Sequence, residues 1–273
     1  MVRGFAFLPE AWYNRPIKRR EIRDGLDLFG YTAAVRTRAF LILFGIAAAA
    51  AVFALAIRKA DERKLLLLLF VFGLLMLVAE AWKQWFVIRY VYGGTRSMWF
   101  FPWQLCSMAM YCSALAPFLK GRAQEATLVF LCTFSVIGAV FALLFPEDMM
   151  RDQILLFCHS FLYHAMMLLE GWIAFRILKQ RSRVSFFPAL LLYLGMAVVA
   201  ELVNVASHFI VRDIHNEANM FYITPFYPST QPVFSAIAAH AGIAVEIIVY
   251  LGVIALAAFG LYLAAFRLKR KQG

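Results

Sequence analysis

The chain has 273 residues, of which 63% are hydrophobic and 16% are charged. Water-soluble domains average about 45–50% apolar and about 25% charged residues, so this composition excludes a soluble globular protein. The formal net charge of +11 does not indicate nucleic-acid binding, because the basic residues lie at the ends of apolar segments, where they meet anionic lipid head groups.

The apolar segments are each about 20 residues long, which is the length of helix that crosses a ~30 Å hydrocarbon core. Residues 1–36 form a charged, aromatic segment that we expect to lie at the membrane interface. A single transmembrane domain over residues 37–267 and a basic tail over residues 268–273 follow. The sequence predicts an all-α polytopic membrane bundle of about seven helices. The predicted spans are 38–57, 65–87, 101–119, 125–145, 153–177, 186–210 and 234–266. Pro102 is expected in the first turn of the third span.

Lysine and arginine are divided unevenly between the two sets of connecting loops. The richer set comprises the first, third and fifth loops and the C-terminal tail. Its residues are Arg58, Lys59, Arg63, Lys64, Lys120, Arg122, Arg176, Lys179, Arg181, Arg183, Arg267, Lys269, Arg270 and Lys271. Because cytoplasmic loops carry the excess of positive charge, we expect the C-terminus in the cytoplasm, the N-terminus outside, and the protein in the plasma membrane.

In this topology, the outer halves of several predicted spans carry polar residues at one depth. These residues are Glu80, Cys106, His159, Glu201, Asn204, His208 and His240. Polar groups are expensive in hydrocarbon and usually face the bundle interior, so we predict a shared polar cavity that opens toward the outer leaflet. Two simpler interpretations stay open. Glu80 can form an interfacial ion pair with Lys83 and Gln84, and the stripe of Glu201, Asn204 and His208 can join helices by hydrogen bonds.

Cys106 and His159 are the candidate catalytic pair within this cavity. A thiol becomes a strong nucleophile when a base such as imidazole removes its proton, and attack on a lipid ester would give a thioester that a second alcohol opens. Asn204 or Glu80 would orient the imidazole, as the third member of a catalytic triad does. The chain has no CxxC, zinc-type or HExxH spacing, so we expect no metal and no other cofactor.

The segment Phe101-Pro102-Trp103-Gln104-Leu105-Cys106 resembles the Leu-Pro-Leu-His-Leu-Cys signature of the YwaF-like integral membrane proteins. Those proteins are related to a mammalian transmembrane acyltransferase that makes polyunsaturated ether phospholipids. The run Leu156-Phe157-Cys158-His159 resembles a second signature of that family, Phe-Phe-Ile-x-His. Asn204 and the run Asn219-Met220-Phe221-Tyr222 resemble a third region. The similarity covers about residues 65–265.

This resemblance implies that Cys106 is the nucleophile and His159 the base of a phospholipid acyltransferase or transacylase, whose partners are membrane phospholipids. Gln104 stands where relatives often have histidine, and it would donate a hydrogen bond to the oxyanion. Residues 209–218 look like an insertion relative to the family.

Two other classes of function fit the same sequence. A transporter or lipid-binding protein would use the intramembrane Glu and His side chains for substrate or protons. It would not depend on the thiol. A structural subunit would use the connection from Arg212 to Pro232 to bind a partner, although the same connection could be a lid over the cavity.

Overall fold

The computed structural model describes residues 41, 44–45, 48, 51–91, 97–144, 146–149, 153–211, 216–229 and 231–267. This part of the chain is helical and contains no β-strand, which confirms the predicted all-α bundle. The predicted interfacial segment over 1–36, nine of the 20 residues of the first predicted span and the basic tail lie outside the described residues.

The described residues 51–56 are helical, and eight further helices follow them. They are α1 (Glu62–Phe86), α2 (Met108–Leu115), α3 (Gly121–Phe130), α4 (Val136–Leu144), α5 (Ile154–Leu178), α6 (Phe187–Ile210), α7 (Pro232–Ala241) and α8 (Ile243–Phe266). A π-helical turn at Val87–Val91 extends α1, and another at Leu131–Ser135 joins α3 to α4.

Among the described residues, five helical segments are long and apolar enough to cross a membrane. These are Glu62–Val91, Gly121–Leu144, Ile154–Leu178, Phe187–Ile210 and Ile243–Phe266. They correspond to five of the predicted spans. The last predicted span is divided, because Gly242 adopts φ +88° between α7 and α8, a conformation that glycine accepts at little cost.

The third predicted span is the one that differs. Its helix covers only Leu105–Leu115, so the prediction of a continuous helix over 101–119 with Pro102 in its first turn is wrong. The backbone before this helix is irregular, and side-chain hydrogen bonds hold it to the rest of the protein. The Tyr111 hydroxyl donates to the Pro102 carbonyl (3.0 Å) and Trp103 Nε1 donates to the Met196 carbonyl (3.2 Å). Non-helical backbone is tolerated at membrane depth when it is buried in protein in this way.

Side-chain contacts show that successive segments run in alternating directions. Gln84 near the end of α1 donates to the Phe100 carbonyl, whereas Arg181, just after α5, pairs with Glu62 at the start of α1 (2.9 Å). The Tyr262 hydroxyl near the end of α8 donates to the Val184 carbonyl (2.7 Å). The connections over 57–61, 116–120 and 179–186 therefore lie at one end of the bundle, which we call the basic end.

The helices approach most closely at two glycines. A Cβ on Gly73 of α1 would collide with the backbone of Ala114 on α2, and a Cβ on Gly171 of α5 would collide with Val136 and the Leu131 carbonyl. Because these two glycines have no side chain, α1 packs directly against α2, and α5 packs directly against the π-helical turn at Leu131–Ser135.

The connection between α6 and α7 returns into the bundle at the end opposite the basic end. In the described stretch 216–229, the residues Ala218, Asn219, Met220 and Phe221 are all at most 1% exposed. These four residues are part of the protein core, whereas Pro225, Phe226 and Pro228 of the same stretch are exposed. A partner-binding surface or a lid over 212–232 stays a prediction.

Candidate functional site

His159 lies on α5 with its imidazole between two aromatic rings. The ring centroid is 5.8 Å from that of Trp82 on α1 and 5.6 Å from that of Tyr163, one helical turn further along α5. His159 Nε2 is buried and has no hydrogen-bond partner. A buried imidazole nitrogen without a partner has a lone pair or a proton available for chemistry.

Cys106 lies in the short turn Leu105–Ser107 that begins the third segment, and its side chain is half-buried. The thiol packs against α4, because a Cβ on Gly138 would lie 3.9 Å from Cys106 Sγ. Cys106 also interacts electrostatically with Tyr163, whose ring stacks on His159.

Lys83 on α1 supplies a positive charge near both members of the candidate pair, since it interacts electrostatically with Cys106 and with His159. Lys83 Nζ lies 2.7 Å from Glu80 Oε2, and Gln84 Nε2 donates to Glu80 Oε1 over 2.7 Å. The predicted ion pair of Glu80 with Lys83 and Gln84 is therefore present. Both carboxylate oxygens of Glu80 are used within α1, and neither bonds to His159.

Cys106 and His159 do not form a hydrogen bond with each other in the described structure. Both interact electrostatically with Lys83, but the thiol and the imidazole are not in the geometry of proton transfer. Catalytic hydrogen bonds are often long without substrate and tighten when it binds. The described structure therefore holds a thiol, an imidazole nitrogen without a partner, and an ammonium group that interacts electrostatically with both residues.

Gln104 and Asn204 bind a backbone turn instead of the imidazole. Gln104 Nε2 donates to the Asn219 carbonyl (2.8 Å), and its Oε1 accepts from the Phe221 amide (2.9 Å). Asn204 Oδ1 accepts from the Met220 amide (2.6 Å), and its Nδ2 donates to the Met220 carbonyl (3.1 Å). In this structure both amides are occupied by the turn, so an oxyanion or orienting role for either would require these bonds to break.

The turn that they hold has an unusual backbone. Phe221 and Tyr222 both have φ of +57°, a left-handed conformation that non-glycine residues adopt only when the surrounding structure imposes it. The four hydrogen bonds from Gln104 and Asn204 provide that constraint.

His208 and Glu201 lie along the same face of α6 as Asn204. His208 Nδ1 is 3.1 Å from Glu217 Oε2, and its ring stacks on Phe226 at 3.6 Å. Asn204 Nδ2 approaches Glu201 Oε2 at 3.5 Å. Asn204 and His208 thus fasten the stretch 216–229 to α6, whereas the predicted hydrogen bonds were between helices.

Tyr227 belongs to the same fastening. Its hydroxyl donates to the Ala218 carbonyl (3.4 Å). Burial, and then the nearby Glu217 carboxylate, raise the pKa of Tyr227 to about 12, so the hydroxyl keeps its proton and remains a donor.

Tyr163 contacts the candidate site although the sequence analysis did not single it out. It follows His159 by four residues, so the two share one face of α5, and that spacing was the available signal. In a chain with 11 tyrosines, however, spacing alone does not separate this residue from ordinary core aromatics.

The bundle and its intramembrane polar region define a polytopic α-helical membrane protein. A model of the TMEM164 family matches residues 30–266, and the chain therefore belongs to that family. No curated protein and no solved structure matches the chain.

Proposed function

We propose that this protein is a membrane-embedded acyltransferase or transacylase that moves acyl chains between phospholipids through a thioester on Cys106. The observation that supports this proposal most strongly is the free Nε2 of His159, held beside Trp82 and Tyr163 in the region that also contains Cys106. The relationship to YwaF-like proteins and to the ether-phospholipid acyltransferase, which the sequence signatures imply, is part of the same proposal.

In the first step, His159 accepts the thiol proton and Cys106 Sγ attacks the carbonyl carbon of a phospholipid ester. The new S–C bond forms, the ester C–O bond breaks, and His159 returns the proton to the departing glycerol oxygen. The products are an acyl thioester on Cys106 and a lysophospholipid. Thiolate and oxyanion are both negative, so the nearby Lys83 ammonium stabilises them.

In the second step, the hydroxyl of another lysophospholipid attacks the thioester carbonyl. Its proton passes to His159 and then to the sulfur, the S–C bond breaks, and the free thiol is restored. No net proton, oxidant or metal is consumed. Both substrates are lipids, so the acyl chain stays within the bilayer during the reaction.

The test is acyl transfer from a phospholipid to a labelled lysophospholipid by the purified full chain in liposomes. Cys106→Ala and His159→Ala should each lower the rate at least 100-fold, because the nucleophile or its base is lost. Cys158→Ala is the matched control, since this half-buried cysteine adjoins His159 in the sequence and should keep the activity. A folded Cys106→Ala variant with the wild-type rate would contradict the proposal.

A thiol-independent transporter or lipid-binding protein is the alternative outcome of the same assay. That function predicts no acyl transfer by the wild-type chain, and lipid or proton movement that survives Cys106→Ala and is lost in Glu80→Gln.

A further inference from the structure

A second group of buried polar atoms lies deeper in the bundle than the candidate catalytic pair. Glu170 of α5 is fully buried, and neither of its carboxyl oxygens has a hydrogen-bond partner. Glu170 lies 11 residues beyond His159, which corresponds to roughly 16 Å along the helix axis at 1.5 Å per residue. It is therefore in the membrane interior and not at an interface.

Two hydroxyl groups from neighbouring positions face the same region without partners. Both residues are buried: Ser113 of α2 is 0% exposed to solvent, and Tyr163 of α5 is 6% exposed. The Ser113 hydroxyl approaches the Glu170 carboxyl group closely enough for a weak hydrogen-bonding interaction, and Tyr163 interacts with Glu170 electrostatically. None of the four oxygens has a partner in full hydrogen-bond geometry. Tyr163 precedes Glu170 by seven residues, so the two side chains share one face of α5.

Four oxygens without partners in one buried region are exceptional, because nearly all buried polar groups are hydrogen-bonded to protein or water. No lysine, arginine or histidine of the described chain forms an ion pair with Glu170. An ionised carboxylate without a counter-ion in such a place costs several kcal/mol. A neutral carboxylic acid avoids that cost, and it offers one O–H donor together with acceptor oxygens.

We propose that Ser113, Tyr163 and Glu170 form an internal site that binds water and one proton, with Glu170 held as the neutral acid. Water suits the site because buried waters make about three hydrogen bonds each to groups that are otherwise unsatisfied. Tyr163 also stacks on His159, so the site continues the polar face of α5 into the membrane interior. The proposal does not rest on the acyltransferase function, because no step of that reaction uses Ser113, Tyr163 or Glu170.

Infrared difference spectroscopy of the full chain in liposomes at neutral pH tests this proposal. The wild type should show the C=O stretching band of a protonated carboxylic acid, and Glu170→Gln should lack it. Transfer to D₂O should shift the band, because water reaches the proton. Ser113→Ala and Tyr163→Phe, which each remove one hydroxyl, should also shift it. Glu62→Gln is the control, since this partly exposed carboxylate at the basic end should contribute no acid band.

The proposal is overturned if Glu170→Gln removes carboxylate bands instead of the acid band. It is also overturned if D₂O leaves the band unmoved, or if neither hydroxyl variant shifts it. Sodium or potassium is then added to both proteins. If either ion raises the melting temperature of the wild type but not of Glu170→Gln, the site binds a metal cation instead of a proton and the proposal is overturned. Should Glu170→Gln not fold, the shifts in Ser113→Ala and Tyr163→Phe decide the outcome.

Discussion

At the scale of single residues, the same kind of polar side chain performs two different tasks in this bundle. His159 keeps Nε2 free in a buried setting, whereas Gln104 and Asn204 use their amide groups fully to hold a backbone turn. A polar group left unpaired in the core is costly, and one that is paired adds stability. The free imidazole is therefore the stronger candidate for chemistry.

Gln104 gives the clearest prediction at this scale. Gln104→Ala would leave the Asn219 carbonyl and the Phe221 amide buried without partners, at about 1–3 kcal/mol for each group. Thermal unfolding in detergent should show a clearly lower melting temperature. The control is Gln153→Ala, because Gln153 is exposed and its side chain makes no capping hydrogen bond. Equal melting temperatures for the two variants would show that Gln104 does not hold the turn.

The sequence allowed the polar residues to be grouped by depth, but it did not reveal their partners. Gln104 bonds to residues 115 or more positions away along the chain, and no periodicity links them. The described contacts join these residues in two sets, one around His159 and Lys83 and one around the turn at Met220–Tyr222. A cavity shared by all of them stays a prediction.

At the scale of helices, apolar length identified five spans because each contains one continuous helical segment that is long and apolar enough to cross a membrane. The third segment could not be delimited in this way. Its non-helical part is stabilised by contacts with Tyr111 and Met196, which a hydropathy pattern does not contain. The break at Gly242 is similar, since a single glycine in an apolar run also occurs inside unbroken helices, as Gly195 does here.

Gly73 is predicted to be essential to the contact between α1 and α2. Gly73→Ala should lower the melting temperature, because the new methyl group would collide with the Ala114 backbone and separate the helices. Gly195→Ala is the matched control, since a Cβ there meets nothing within 4 Å, and replacing a helical glycine by alanine favours the helix. A Gly73→Ala variant as stable as Gly195→Ala would contradict the close approach.

At the scale of the whole molecule, the uneven distribution of lysine and arginine between the loops predicts which loops lie at the same end of the bundle. The structure brings the described parts of the basic loops to one end, and the rule that positive charge stays inside assigns that end to the cytoplasm. The direction of insertion remains a prediction.

Cysteine labelling tests this orientation. On a chain in which the native cysteines are replaced, Lys59→Cys at the basic end should react with a membrane-impermeant maleimide only after the membrane is opened. Tyr90→Cys lies in the π-helical turn at the far end of α1, and it should react in intact cells. Both positions are exposed, so accessibility within the protein does not distinguish them. The reverse pattern would place the C-terminus outside.

The most direct measurement of the central claim is the detection of the acyl group itself. Purified protein is incubated with a phospholipid that carries an alkyne-labelled acyl chain, and the label is located by peptide mass spectrometry with and without hydroxylamine. We predict a hydroxylamine-sensitive acyl group on Cys106, present in Cys158→Ala and strongly reduced in His159→Ala. An active wild-type protein whose Cys106 stays unmodified under these conditions, or whose label lies on another residue, would contradict the account.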